Sequence, residues 1–146
     1  MTDSKDYYRW LVENSSDIIS VFKLDGTILY RSPAVERLLG HSPNQLVGRN
    51  EFEYIHPDDH RRVIAALDDV SDHRETGTVI DYRVRHKDGT WRYLESVGRT
   101  VVDESGEVVC IVNSRDITGR KIAEMDRDGY VTKLRERRST RRGENR

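Results

Sequence analysis

The hydrophobic period of this chain changes partway along, and that change constrains the fold more than any other feature of the sequence. Up to about residue 77 the apolar residues recur every three or four positions, apart from a short apolar run near the start; from Thr78 they alternate. Ile80, Tyr82 and Val84 take turns with Asp81, Arg83 and Arg85, which places the two sets on opposite faces of a strand. Turn residues at 87–90 and 103–106 lead into two further β-prone stretches, 91–101 and 107–113. Earlier in the chain, Asp25-Gly26 separates the apolar run 17–24 from 27–30. Asp-Gly between two β-prone runs predicts a tight hairpin whose two central residues both take positive φ.

Helical signals fill the space between these strands. Residues 1–15 contain Tyr7, Tyr8, Trp10, Leu11 and Val12, which a leading amphipathic helix gathers mostly on one side. Ser32-Pro33 predicts a helix start with the serine as cap, Val35, Leu38 and Leu39 as its buried stripe and Gly40 as its stop. Ser42-Pro43 repeats the signal for a short helix ending at Gly48. Pro57 opens a longer helix with Val63, Ile64, Leu67 and Val70 as its stripe, and Asp58 and Asp59 suit its positive end. Two hairpin regions flanking a helical insert give an antiparallel sheet with helices on one face, an α+β fold.

A length of 146 residues suits one domain, and with 35% hydrophobic and 35% charged residues the chain is polar but able to build one core. No stretch approaches the roughly 20 apolar residues of a membrane-spanning helix, and the first residues are too polar for a secretory signal, so a cytoplasmic location is expected. Cys110 is the only cysteine, which excludes an internal disulfide or a multi-thiolate metal site. Residues 133–146 carry seven Lys or Arg against two Glu, a net +5, so the rest of the chain carries −6. An acidic body argues against nucleic-acid binding by the folded part, and the basic end reads as a solvated, disordered tail.

In order along the chain stand Leu-Asp-Gly-Thr-Ile at 24–28, Ser-Pro-Ala-Val-Glu-Arg-Leu-Leu-Gly at 32–40, Ile-His-Pro-Asp-Asp at 55–59, Tyr-Arg-Val-Arg-His-Lys-Asp-Gly-Thr-Trp-Arg-Tyr-Leu at 82–94 and Arg-Asp-Ile-Thr-Gly-Arg-Lys at 115–121. This ordered set resembles a PAS sensory domain of the kind found in histidine kinases and transducers, over about Tyr7 to Lys121. The resemblance implies a five-stranded antiparallel sheet in the order 2-1-5-4-3, curved around a small-molecule cavity roofed by helices. It places the domain at 16–118, an output or linker helix at 119–132, and the coupling of sheet to output at Asp116 and Thr118. Gly129 weakens that helix.

The family includes flavin, haem and ligand-free members, so the cofactor has to be argued from residues. Where the flavin-binding light sensors have a reactive cysteine after Gly-Arg-Asn, this chain has Glu51 after Gly48-Arg49-Asn50. Their three amides for the flavin edge map onto Val84, Leu94 and Ser114, and these residues argue against a flavin. Haem-binding members use a histidine in the middle of the long helix; here stand Val63, Ile64, Ala65 and Ala66, with His60 at one end and His73 at the other, which argues against haem. His56 and His60 are read as helix-start residues and not as a metal pair, and 124–129 fails as a calcium loop because Arg135 stands at the twelfth position. No phosphate-cradling loop, nucleophile elbow or kinase phosphoacceptor region points to an enzyme.

The alternation turns Tyr82, Val84, Leu94, Ser96, Cys110, Val112 and Ser114 inward, with Phe22 and Leu24 from the first strand and Ile64 and Leu67 from the long helix. These either line a pocket for a small, mostly apolar ligand or interdigitate into a filled core. The opposite face receives Trp91, Tyr93, Val97, Val101, Val109 and Ile111, an apolar patch that needs a cover. Tyr7, Trp10 and Leu11 of the leading helix can cover it in the same chain or in a second copy, so a homodimer is expected. The function expected is a sensory or signal-transduction module that binds a ligand or relays through dimerisation; the competing reading is a purely structural dimerisation domain. The signalling partner is a separate protein, or an output domain such as a histidine kinase or transducer from which this chain is a fragment.

Overall fold

The computed structural model describes residues 4–72 and 78–128. In chain order it has α1 (Ser4–Glu13), β1 (Ile18–Lys23), β2 (Ile28–Arg31), α2 (Ala34–Leu39), α3 (Pro43–Leu46), two short 3-10 turns at Glu51–Glu53 and Pro57–Asp59, α4 (His60–Asp72), β3 (Thr78–Arg85), β4 (Trp91–Val102) and β5 (Val108–Asp116). The strands form one antiparallel sheet in the order β2-β1-β5-β4-β3, as the resemblance implies. Residues 117–146 are a separate unit, in which 118–128 are helical. His73, Gly129, Arg135 and the basic tail lie outside the described residues.

All three hairpins use one turn. At Gly26, Gly89 and Gly106 the glycine N–H donates to the carbonyl three residues back at 2.9, 2.9 and 3.0 Å, and each glycine has φ between 86° and 93°. Among the described residues no non-glycine has positive φ, so Asp25 does not share the left-handed region with Gly26. The turn is therefore a three-residue loop, a type I turn closed by a left-handed glycine, rather than the two-residue turn that Asp-Gly predicts. Asp88 and Asp103 tighten their loops by accepting backbone N–H groups from Thr90 at 2.8 Å and Ser105 at 2.9 Å.

Across the sheet, register sets which side chains are neighbours. One inner-face row runs Ile80, Ser96, Ser114, Ile18; the next runs Gly98, Val112, Ser20, Arg31; a third runs Thr100, Cys110, Phe22, Ile28. The core sits over these rows, between the sheet and helices α2, α3 and α4, with Ile18, Ile28, Val35, Leu39, Leu46, Val84 and Leu94 almost fully buried. Ser32 does not cap α2 with its hydroxyl: it is fully buried, and its Oγ accepts the Ile19 N–H at 2.9 Å, fastening β1 to the start of the helix. Gly40, at φ 80°, ends α2 as expected.

One segment, residues 48–56, serves both edges of the sheet. At the β2 edge the Gly48 N–H donates to Ile28 O, the Ile28 N–H to Arg49 O and the Glu51 N–H to Gly26 O, at 2.8 to 2.9 Å. At the β3 edge the Arg85 N–H donates to Tyr54 O and the His56 N–H to Arg83 O, both at 2.9 Å. Asp59 extends this second seam by accepting the Arg83 N–H at 2.8 Å and the Arg83 Nε and Nη2 at 3.0 and 2.8 Å. Asp59, placed by the sequence at the helix start, stands there, is 4% exposed and also clamps the turn before α4 to β3.

Candidate functional site

An apolar cavity of about 60 Å³, counted over the positions open to the centre of a water molecule, lies between α4 and the sheet. By that measure one water needs only about 10–15 Å³. Its roof is Val63, Ala66, Leu67 and Val70; its floor is Phe22, Ile80, Tyr82, Ser96, Gly98, Cys110 and Val112; and Gly26, Glu51, Phe52 and Ile55 close the remaining side. Gly98, one of the floor residues, stands inside the longest of the five strands without a side chain. A Cβ there would lie 3.1 Å from Cys110 Sγ and 3.2 Å from Val112 Cγ2. A glycine inside a strand marks a place where something other than its own side chain approaches the backbone.

Of the residues expected inward, Phe22, Leu67, Tyr82, Ser96, Cys110 and Val112 line this cavity. Val84, Leu94 and Ser114 are buried but lie outside the lining, Val84 and Leu94 toward the other end of the sheet. Leu24 and Ile64 are corrections, at 41% and 48% exposed. Leu24 falls past the end of β1, at the first central position of the hairpin loop, where alternation no longer applies. Ile64 sits about 95° round the helix from the centre of the Val63, Leu67, Val70 stripe, so it faces solvent.

A chain of hydroxyls crosses the floor. Tyr82 Oη lies 2.8 Å from Ser96 Oγ, which lies 2.7 Å from Ser114 Oγ, and all three residues are buried. Burial and the nearby Glu51 carboxylate push the Tyr82 hydroxyl above its ordinary pKa, so it stays protonated. Burial raises the Cys110 thiol too, which keeps it a neutral packing group.

Sequence reasoning missed the other polar feature, an ion pair between Arg31 and Glu51 whose side chains are 3% and 6% exposed. Gly48, at φ 91°, turns the chain after α3, and Asn50 then accepts the Phe52 N–H at 3.0 Å and donates through Nδ2 to Asp25 O at 2.9 Å. Those bonds set Glu51 on the inner side of the segment, where it meets Arg31 from β2. The Arg31 guanidinium also lies over the Phe22 ring, 5.4 Å from its centroid.

A flavin does not fit these residues: Val84 and Leu94 offer no hydrogen bond, the Ser114 hydroxyl is bonded to Ser96, and the cysteine position is an ion-paired glutamate. Haem fits no better among the described residues, because α4 turns only aliphatic side chains to the cavity and the His60 Nε2 donates to Ile55 O at 2.9 Å. His56 accepts the Asp58 N–H through Nδ1 at 3.1 Å, so the two histidines serve separate local bonds. The described residues hold no cluster of three or more metal-ligating side chains and no helix long and apolar enough to cross a membrane.

On the outer face Trp91 and Val97 are exposed, Tyr93, Val101 and Ile111 are half-buried, and Val109 is buried. The leading helix buries none of its residues: Tyr7, Trp10 and Leu11 are 54, 59 and 41% exposed. Asp116 is the last residue of β5, opposite Leu94, and Thr118 is in the helical stretch of the second unit.

Comparison with known proteins agrees with this architecture. White collar 1 protein of Neurospora crassa is 32% identical over 77% of the chain, which spans 9% of that protein; the chain covers about a tenth of the length of the first curated relatives it matches. Among solved structures, a sensory box histidine kinase/response regulator from Burkholderia thailandensis is 29% identical with a TM-score of 0.66, over 88% of this chain and 98% of that one. The PAS domain of an HTR-like protein from Haloarcula marismortui is 25% identical with a TM-score of 0.69, over 78% of this chain and 92% of that one. The family model of the PAS fold matches residues 28–115, and with this sheet order the chain belongs to the PAS family, a sensory and signalling domain.

Proposed function

We propose that the chain is the sensing element of a signalling protein, taking up a small, mostly apolar molecule and passing the change to a partner or output domain. The observation that carries this reading is the cavity between α4 and the sheet, apolar apart from Glu51, Tyr82 and Ser96. A purely structural domain would have filled that space. The module works by binding and has no catalytic role. The similarity to a sensory box histidine kinase/response regulator supports a two-component partner. Mass spectrometry under denaturing conditions, on the chain isolated from its native host, tests the reading. A stoichiometric small molecule supports it; a chain that carries none, and whose cavity takes up no small molecule in solution, refutes it.

Relay through a second copy is the other part of the proposal, and the unburied leading helix favours it. A ten-residue helix is too short to hold its shape alone, and this one keeps Tyr7, Trp10 and Leu11 in solvent. A partner chain that covers them together with Trp91 and Val97 would link the sheet face to the dimer seam.

A further inference from the structure

Among the described residues six buried side-chain polar atoms have no partner, and three of them, Ser20 Oγ, Arg31 Nε and Glu51 Oε1, belong to residues that neighbour one another. Ser20 and Arg31 are register neighbours on β1 and β2, and Arg31 holds the other oxygen of Glu51. Glu51 lines the cavity, and Arg31 lies over Phe22, which also lines it. Folded interiors leave few such atoms unpaired, and three of them on neighbouring residues, of which Glu51 lines the cavity, point to a missing partner.

The chemistry of that partner follows from the three groups. Arg31 Nε can only donate, Glu51 Oε1 can only accept, and the Ser20 hydroxyl can do either. A hydroxyl satisfies both charged residues at once, because it accepts from the guanidinium and donates to the carboxylate. A carboxylate guest would face Glu51, and an ammonium guest would face Arg31. The ion pair sums to zero charge, so a neutral guest disturbs it least. Beyond these groups the lining is aliphatic and aromatic, with Phe52, Leu67 and Val112 prominent.

We propose that the cavity selects a small neutral molecule with an apolar body and one hydroxyl, a phenol or a short alcohol, whose hydroxyl reaches the unpaired Glu51 Oε1 and Arg31 Nε at the edge of the ion pair. This rests on the ligand-binding reading above and names its chemical class.

Phenol and toluene, which match in shape and differ by the hydroxyl, test it on the full chain by NMR titration of the Gly98 and Gly26 amides. Phenol is expected to bind about tenfold more tightly, since the apolar isostere leaves the polar atoms unpaired. The double variant Arg31→Leu with Glu51→Leu removes both charges without stranding either, and it should lose the preference while still binding toluene. Equal affinities for wild type, or a preference that persists in the folded double variant, overturn the hydroxyl assignment and leave the cavity reading intact. Absence of any shift with either probe at millimolar concentration overturns both. If the double variant does not fold, the wild-type ratio decides.

Discussion

Replacing Asp59 by alanine tests whether the roof of the cavity is held by its clamp to β3. The carboxylate accepts the Arg83 backbone N–H at 2.8 Å, the Arg83 side chain at 3.0 and 2.8 Å, and Arg62 at 3.2 Å. Loss of the partner for a buried edge-strand N–H costs about 1–3 kcal/mol. A hydrogen bond to a charged group adds about 1.5–3 kcal/mol when buried. That second contribution shrinks here because Arg83 is 28% exposed and water can replace part of it. Asp59→Ala should therefore destabilise the domain by about 3 kcal/mol, a large part of the ~5–15 kcal/mol typical of a folded domain. Urea denaturation should show a lower midpoint with an unchanged slope. Asp59→Asn keeps one acceptor for the backbone N–H and should lose less. Hydrogen bonds from Arg83 hold the Asp59 carboxyl well below the usual carboxylate range. A group depressed in this way stabilises the fold above its ordinary value of 3.8 and loses that contribution as the pH falls below it. The gap between wild type and Asp59→Ala should thus be constant from about pH 6 to 8 and narrow below about pH 4. A difference under about 0.5 kcal/mol at neutral pH, the range of ordinary surface substitutions, would refute the clamp.

Gly26→Ala and Gly106→Ala both place a side chain at positive φ, at 93° and 86°, but only the first adds a clash, with Asn50 Oδ1 and the Phe52 ring at 2.9 Å. Thermal denaturation should show Gly26→Ala losing more, by at least about 1 kcal/mol, and equal losses would mean that backbone strain alone decides. Gly98→Ala should destabilise the domain by about 1 kcal/mol or more, since its methyl would press on Cys110 Sγ at 3.1 Å and Val112 Cγ2 at 3.2 Å, and it should lower the occupancy of any molecule bound in the cavity. Retention of the molecule at wild-type stoichiometry would count against the position of the site. Trp10→Ala combined with Leu11→Ala should shift sedimentation toward monomer, and a wild-type chain already monomeric at tens of micromolar ends the dimer proposal.

The strands and their layering were legible because local signals agreed with one another: the period of 2, the turn residues and the helix starts all demand the same layers, while the strand order came from the family resemblance. Inner-face residues such as Tyr82, Ser96, Cys110 and Val112 followed from alternation alone. Leu24 and Ile64 failed where a pattern was carried past its limits, one beyond the strand end and the other too far round a helix. The Arg31–Glu51 pair and the Asp59–Arg83 clamp were not legible, because each joins residues 20 or more apart whose meeting depends on the assembled sheet. Gly98 was legible and unused: a glycine at the centre of an apolar strand is a signal in the sequence itself.

Residues 48–56 have a consequence for how this protein can meet others. A free sheet edge is a template for another strand, and many proteins join or aggregate through such edges. Here the same short segment is hydrogen-bonded to β2 at Ile28 and to β3 at Arg83 and Arg85, like a cord drawn between the two rims of a bowl. Those backbone groups are therefore taken and cannot pair with a neighbouring chain. Because Glu51, Phe52 and Ile55 belong to the cord and also touch the cavity, whatever fills the bowl pulls on both rims together.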